Sequence, residues 1–172
     1  MSLTSSNLGN KIVVLGVSAS GKSLFARRLS SHLNIPLTHM DAIMWEPGWN
    51  HVGNTKVREE LQKVMANDSW IIEGWIEPKA RKLVFDRADT IIYLDYPRLL
   101  VTWRYLKRWL KHRKAPRAEL NGSPEKFSFK FLKLVFTKGE AISINESLGE
   151  LTDQSKVIKI NSPKKAWNLL QK

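Results

Sequence analysis

The eight residues GVSASGKS, from Gly16 to Ser23, constrain the fold of this 172-residue chain more than any other stretch. Glycines stand at the first and sixth positions, and a lysine and a serine follow the second glycine. A β-branched run over 11–15 precedes the stretch and predicts a short buried strand. Apolar residues recur at helical spacing over 23–33 and predict a helix. The sequence therefore predicts a strand, a glycine-rich loop and a helix in direct succession.

Such a loop binds phosphate because its backbone N–H groups and the following helix N-terminus favour an anion. We expect Lys22 to reach the β- and γ-phosphates of a nucleotide, and the Ser23 hydroxyl to ligate Mg²⁺. A chance glycine- and serine-rich turn is the alternative, and the flanking strand and helix argue against it. The residues expected at the nucleotide are Gly16, Val17, Ser18, Ala19, Ser20, Gly21, Lys22, Ser23 and Leu24.

Strands and helices alternate along the rest of the chain. We predict strands over 11–15, 36–40, 70–72, 90–94 and 156–160, and helices over 23–33, 56–66, 78–86, 98–114, 125–136 and 163–171. Segments 42–53 and 115–124 are expected to be irregular. This alternation predicts a parallel sheet with helices on both faces, which binds ligands beyond the carboxyl ends of its strands. The strands end at Gly16, Asp41, Glu73, Asp95 and Asn161, so we expect these residues at one edge.

Composition excludes several classes of protein. The chain has no cysteine, which excludes a disulfide framework, a thiolate metal site and a cysteine nucleophile, and we expect a cytoplasmic protein. No run of 18 apolar residues is present, so we predict no membrane span and no membrane partner. The polar segment 1–10 is expected to be a flexible leader before a single domain over 11–172.

The positive charge is concentrated in one segment. The formal net charge is +12, and the segment 98–117 contains eight lysines and arginines and no acid. Aromatic residues are interleaved with them at Trp103, Tyr105 and Trp109. Such a segment is able to bind nucleic-acid phosphates non-specifically. A solvated basic helix is the alternative interpretation.

Six stretches resemble the adenylate-kinase-like P-loop proteins, in particular those called DNA-topology-modulation proteins. They are GVSASGKS (16–23), HMDAIMWEPGW (39–49), WIIEGW (70–75), RADTIIYLDYPR (87–98), WRYLKR (103–108) and GSPEKF (122–127). The resemblance implies the P-loop NTPase fold, a three-layer α/β/α sandwich whose five parallel strands have the order 2-3-1-4-5. It also implies a helical lid over about 104–126, an ATP site, and phosphoryl transfer to a small acceptor.

The resemblance also suggests roles for charged residues. An acid after the third strand holds Mg²⁺ in nucleoside-monophosphate kinases, and Glu73 stands there; Asp95 is the alternative. We prefer Glu73, because the resemblance places the third strand beside the first. Arg104 and Arg108 share one helix face and match lid-helix arginines, of which one lies against adenine and the other contacts the transferring phosphate. Arg113 and Arg117 begin the expected lid, where one of them is expected to close over phosphates.

Acceptor residues are expected after the second and third strands. Asp41 is a candidate to hold or deprotonate an acceptor hydroxyl, although a turn-initiating Asp is the alternative. The tryptophans Trp45, Trp49 and Trp75 are candidates for an aromatic wall, or else for core positions. Arg81 is a candidate to meet an anionic acceptor. His39 is interpreted as structural.

Three functions remain open. One is an ATP- and Mg²⁺-dependent kinase for a nucleotide or another small acceptor. The second is a nucleic-acid-binding regulatory protein with a nucleotide switch, and the third is an ATPase without an acceptor. The resemblance leads us to expect a glycine where Ala19 stands and a threonine where Leu24 stands, and these departures bear on catalytic power more than on binding.

Overall fold

The computed structural model of the protein describes residues 8–112 and 128–170 and contains a five-stranded sheet flanked by helices. The strands are β1 (Lys11–Gly16), β2 (Leu37–His39), β3 (Trp45–Glu46), β4 (Asn50–His51), β5 (Trp70–Glu73), β6 (Thr90–Leu94) and β7 (Val157–Ile160). The helices are α1 (Lys22–Leu33), α2 (Met40–Met44), α3 (Asn54–Met65), α4 (Pro78–Arg87), α5 (Arg98–His112), α6 (Phe129–Thr137), α7 (Gly139–Gly149) and α8 (Pro163–Leu170). None of the helices in these ranges has the length and apolar character needed to cross a bilayer.

The sheet has the predicted topology. Its strands follow the order β2-β5-β1-β6-β7, and every neighbouring pair is parallel. Without the short hairpin β3–β4, this is the order 2-3-1-4-5, so the predicted fold class is confirmed. Ile12 of β1 pairs with Ile71 on one side and with Thr90 on the other. The carboxyl ends of the strands therefore meet beside the loop that follows the central strand.

Helices cover both faces of the sheet because its strands are apolar on both sides. Along β1, Ile12 and Val14 pack into one core, whereas Val13 and Leu15 pack into the other. The first core joins the sheet to α1, α5, α6 and α8. The second joins it to α2, α3, α4 and most of α7. We call these two sides the α5 face and the α7 face.

The predicted leader over 1–10 extends too far. Leu8 is buried in the first core with 1% of its surface exposed, and its carbonyl oxygen accepts a hydrogen bond from Thr90 Oγ1 at 2.5 Å. The N–H groups of Asn10 and Lys11 both donate to Asp89 Oδ2 at 2.9 Å. Residues 8–10 therefore belong to the domain, and the remainder of the predicted leader lies outside the described residues.

The chain after β2 differs from the prediction. The strand predicted over 36–40 ends at His39, and Asp41 lies in the first turn of the helix α2. His39 is level with the last residue of β5, so Met40 has no sheet partner beyond it and the backbone turns into a helix. The segment 42–53, predicted to be irregular, continues α2 and then forms the antiparallel hairpin β3–β4.

The helix α7 was not predicted. Its buried residues Ala141, Ile144 and Leu148 recur at three- and four-residue spacing, which is the signal that indicates it. Lys138, with a φ of 54°, separates α7 from α6. The predicted loop over 115–124, most of the predicted lid and the GSPEKF stretch lie outside the described residues.

Gly74 fixes the sharp turn after β5. Its φ is 131°, in a region that favours glycine, and a Cβ added there would lie 2.8 Å from Cβ of Met40. We expect Gly74→Ala to lower the free energy of unfolding by roughly 2 to 4 kcal/mol, because backbone strain and a collision add. Chemical denaturation measures this loss.

Gly53→Ala is the matched control. Gly53 also has a positive φ, of 92°, but an added Cβ would find nothing within 4 Å. Only strain remains, so we expect a smaller loss, at the lower end of the roughly 1 to 3 kcal/mol that such sparsely populated backbone conformations cost. Equal losses in the two variants would show that Met40 does not restrict this turn.

Candidate functional site

The loop between β1 and α1 offers a concave backbone to an anion. Gly21 stands at the N-terminus of α1 with a φ of 90°, and Lys22 begins the helix. The Ser20 N–H donates to the Val17 carbonyl oxygen at 3.1 Å and closes a turn within the loop. Because helix N-termini and exposed loop N–H groups attract negative charge, this arrangement suits a phosphate group.

Ala19 adopts backbone geometry that favours glycine. Its φ is 64°, in the left-handed region, where a residue with a Cβ is less stable by about 1 to 2 kcal/mol. The glycine expected at this position from the resemblance would remove that cost. The loop nevertheless keeps its shape with alanine.

The strand β5 places Glu73 beside the phosphate loop because β5 is paired with β1. Ser23 Oγ donates to Glu73 Oε1 at 3.1 Å. The other carboxylate oxygen, Oε2, lies 2.6 Å from His39 Nδ1. Glu73 is only 3% exposed. A buried carboxylate therefore connects Ser23 with His39.

The pair formed by Ser23 and Glu73 fits a magnesium ion. Both side chains offer oxygen, and Mg²⁺ is usually bound by one or two protein groups together with water and substrate phosphates. The described part of the chain contains no cluster of three His, Cys, Asp or Glu side chains able to hold a metal. His39 would orient Glu73 without being a ligand itself, a role that the sequence analysis did not assign.

Asp95, the alternative candidate, lies in a cluster of ion pairs. Its carboxylate pairs with Lys138 and, at 3.0 Å, with Lys159. Partial burial acts to raise the pKa of Asp95, but hydrogen bonds from both lysines outweigh it and hold this pKa below its ordinary value. Two ammonium groups thus occupy the oxygens that a metal would need, which favours Glu73.

The helix α5 brings Arg104 to the phosphate loop. Arg104 Nη1 donates to the Ser20 carbonyl oxygen at 2.7 Å, and its guanidinium carbon lies 5.4 Å from the ring centre of Tyr96. Arg108, one turn further on, lies 5.6 Å from the ring centre of Tyr105. Both arginines line the cavity beside the loop. The shared helix face predicted from their spacing therefore faces the candidate site.

The other cations of the basic segment do not all lie at the candidate site. Arg98 and Lys107 are exposed on α5, and Lys111 lines the rim of the cavity. Arg113 and Arg117 lie outside the described residues. The described part of the segment is thus divided between the cavity and the open surface.

A cavity of about 1560 Å³ opens at the carboxyl edge of the sheet, against the phosphate loop. Lining residues from the α5 face include Arg104, Arg108, Lys111, Pro163, Ala166 and Trp167. Lining residues from the α7 face include Asp41, Met44, Trp45, Trp49, Trp75 and Glu140. A cavity of this volume has room for a nucleotide and a second small molecule.

The structure brings Asp41 and the three predicted tryptophans together. All four line the α7 side of the cavity. Trp45 contacts Trp49 edge to face, with 5.7 Å between ring centres. Trp75 is 37% exposed. All three tryptophans therefore line the cavity, and Trp45 also packs against the second core.

Arg81 is not among the cavity-lining residues. It is 1% exposed and lies behind Trp75, with 5.9 Å between its guanidinium carbon and that ring centre. It donates hydrogen bonds to the Ile76 carbonyl at 2.8 Å, to the Ser143 carbonyl at 2.6 Å and to Ser147 Oγ at 3.1 Å. Arg81 therefore joins α4 to α7, and the structure gives it a structural position.

Glu140 was missed by the sequence analysis. It lies in the first turn of α7 and accepts hydrogen bonds from Ser18 of the phosphate loop, from N–H at 2.5 Å and from Oγ at 2.9 Å. A carboxylate is thus fixed at the loop by a residue 122 positions away. Only the folded chain brings the two together.

Trp167 and its neighbours on α8 were also missed. Trp167 packs against Phe25, with 6.4 Å between ring centres, and the Arg28 guanidinium lies 4.4 Å from it. Pro163 and Ala166 line the cavity beside it. This apolar surface on α8 suits a flat nucleobase.

Comparisons with known proteins agree on the fold. No protein-family model matches the chain, and no curated protein matches it in sequence. A protein of Chloroflexus aurantiacus that is assigned as a kinase has 18% sequence identity and a TM-score of 0.63, with 95% of this chain and 96% of that chain covered. A gluconokinase of Sinorhizobium meliloti has 14% identity and a TM-score of 0.56, with 96% and 93% covered. A shikimate kinase of Aquifex aeolicus has 18% identity and a TM-score of 0.52, with 93% and 90% covered. The chain therefore has the three-layer α/β fold that these kinases share.

Proposed function

We propose that the protein is a kinase that transfers the γ-phosphoryl group of ATP to a hydroxyl group of a small molecule. The contact of 3.1 Å between Ser23 and Glu73 at the phosphate loop carries this proposal, because these two oxygen-bearing side chains would hold Mg²⁺ beside the phosphates of ATP. The cavity continues from that loop to Asp41. A candidate phosphate site and a candidate base thus share one cavity.

Three charged side chains have roles in this reaction. Lys22 and the loop N–H groups hold the β- and γ-phosphates, and Arg104 neutralises charge that develops on the transferring group. Bound Mg²⁺ would supply further positive charge at the same phosphates. Asp41 accepts the proton of the acceptor hydroxyl as its oxygen attacks phosphorus. Apolar residues of α8, with Trp167, lie beside the adenine.

The solved structures that share the fold support a small acceptor. Their names include a gluconokinase, a shikimate kinase and a sugar kinase, so hydroxyl groups are acceptors on this fold. The tryptophan-bearing stretches lead us to place the chain in the DNA-topology-modulation subgroup of adenylate-kinase-like proteins. That assignment rests on the sequence resemblance.

An acceptor panel tests the proposal. We expect at least one hydroxyl compound to raise ADP production from ATP and Mg²⁺ well above a control without acceptor, with phosphorylated acceptor formed in equal amount. Gluconate, shikimate, sugars, nucleosides and nucleoside monophosphates belong in the panel. If the protein produces ADP but no compound changes the rate, it is an ATPase and not a kinase for these acceptors. If it produces no ADP at all, the proposed catalytic function is wrong.

The basic surface supports a second candidate, nucleotide-dependent binding of nucleic acid. Arg98 and Lys107 are exposed on α5, and Trp103 between them is 64% exposed. Binding that falls steeply with salt concentration would indicate contacts with phosphates alone. This candidate requires the affinity for DNA or RNA to change when ATP is added.

A further inference from the structure

Hydrogen bonds hold the phosphate loop on both sides of Ala19. Before it, Ser18 donates to Glu140, from N–H to Oε2 at 2.5 Å and from Oγ to Oε1 at 2.9 Å. After it, the Ser20 carbonyl oxygen accepts a hydrogen bond from Arg104 Nη1 at 2.7 Å. Glu140 lies on α7 and Arg104 on α5, so two separate helices fix the two chain neighbours of Ala19.

Ala19 needs such support because of its backbone conformation. Its φ of 64° lies in the left-handed region, where a Cβ is too close to the following carbonyl oxygen. An alanine without support returns to negative φ, where its backbone is less strained. The N–H groups of the loop would then no longer converge on one phosphate group. The shape of the loop therefore depends on contacts that oppose this return.

The contact between Ser18 and Glu140 is suited to this task. Both carboxylate oxygens take part, and hydrogen bonds to a charged acceptor are stronger than those between neutral groups. Both residues are partly buried, so solvent and salt screen the contact less than they would at the surface. The backbone N–H of Ser18 is one of the donors, which ties the main chain itself to α7.

Arg81 lies near enough to Glu140 to offset part of its charge. Burial lowers the pKa of Arg81, and the carboxylates of Glu140 and Glu146 act in the opposite direction. Arg81 also donates to Ser143, which is one turn after Glu140 on α7. A buried cation thus accompanies the carboxylate at the loop and reduces its repulsion of bound phosphates.

We infer that Glu140 is a positioning residue that keeps Ala19 in the left-handed conformation and so preorganises the phosphate loop for ATP. The inference rests on the proposed ATP site and not on the identity of the acceptor. A loop already in its binding shape has the higher apparent affinity, because ATP does not have to select a minor conformation.

Glu140→Gln is the first variant of the test. Glutamine keeps the length of the side chain and one acceptor oxygen, but it loses the charge and the second acceptor. We expect the Kd for ATP with Mg²⁺, measured by titration calorimetry, to rise about tenfold, as for loss of a hydrogen bond to a charged group. At saturating ATP the loop is in its binding shape, so kcat should stay within about twofold while KM for ATP rises.

Ala19→Gly separates loop support from a direct effect of charge. Glycine adopts a positive φ without a steric cost, so the loop would keep its shape without Glu140. In the Ala19→Gly background we expect Glu140→Gln to change the Kd for ATP by less than about twofold, a clear departure from additivity. Equal losses in the two backgrounds would overturn the inference. Tighter binding of ATP by Glu140→Gln would overturn it as well, because the carboxylate would then be a competitor of the phosphates.

Glu146→Gln is the matched control. Glu146 is exposed on the same helix and also acts on Arg81, but it does not line the cavity. We expect it to leave the Kd for ATP within about twofold, and a tenfold rise would attribute the effect to the charge around Arg81, against the inference.

Ser18→Ala keeps the inference testable if Glu140→Gln does not fold. It removes only the contact from Oγ, so we expect a rise in Kd of about two- to threefold that disappears in the Ala19→Gly background. A rise that persists there would overturn the inference. If the unmodified protein binds no ATP, both this inference and the proposed function are wrong. If it binds ATP but phosphorylates no acceptor, only the proposed function is contradicted.

Discussion

Replacing Lys22 by alanine is expected to lower kcat/KM for ATP by about 100- to 1000-fold, the loss that follows removal of a preorganised charge from a developing anion. Lys22 is the first residue of α1 and lines the cavity at the phosphate loop. Its ammonium group is placed to meet the β- and γ-phosphates, where charge develops as the phosphoryl group transfers. ADP production with the best acceptor of the panel measures the effect.

Stability should not change with this substitution. Lys22 is partly exposed at a helix terminus, and substitutions at such positions usually change the free energy of unfolding by less than about 0.5 kcal/mol. Lys79→Ala is the matched control, since Lys79 is exposed on α4 and does not line the cavity. Unchanged ADP production in Lys22→Ala would show that the phosphate loop does not take part in the reaction.

Asp41→Asn is expected to lower kcat by about 100- to 10,000-fold, the range for loss of a general base. Asparagine keeps the size of the side chain and accepts a hydrogen bond, but it does not take the hydroxyl proton. Asp41 is not among the residues proposed to hold the nucleotide, so KM for ATP should stay within about twofold, as in variants that lose only a transition-state interaction.

The control for Asp41→Asn is Asp86→Asn. Asp86 is exposed on α4, away from the cavity, and its substitution should leave kcat unchanged. The rise in melting temperature on addition of ATP and Mg²⁺ should be the same in both variants. A kcat that survives in Asp41→Asn would show that the acceptor is activated by another group.

Local sequence was enough to predict the sheet. The β-branched runs over 11–15 and 90–94 are short, apolar and bounded by polar or glycine residues, so their strands were placed within a residue of those observed. The phosphate loop was equally clear, because its chemistry depends on residues that are adjacent in the chain. The sheet order came from the resemblance and is confirmed by the structure.

Helices and strands whose bounds depend on contacts with other parts of the chain were predicted less well. The strand predicted over 36–40 was expected to lead into an irregular segment, yet its partner strand ends at Glu73, before the turn at Gly74, and the chain forms the helix α2 from Met40. The hairpin β3–β4 has only two residues in each strand, which is too short for a periodic signal. The helix α7 has its buried residues in the expected spacing, but glycines at both ends obscure it.

The sequence by itself determined the fold class, the phosphate loop and the candidates Lys22, Ser23 and Glu73, because each depends on a local pattern or on the end of a strand. Only the tertiary structure favours Glu73 over Asp95 as the magnesium candidate, through the contacts of Glu73 with Ser23 and His39 and the pairing of Asp95 with two lysines. It alone buried Arg81 and brought Glu140 to Ser18. Such contacts join residues that are far apart in the chain. They depend on how helices and strands of different layers pack together, so a local sequence pattern does not predict them.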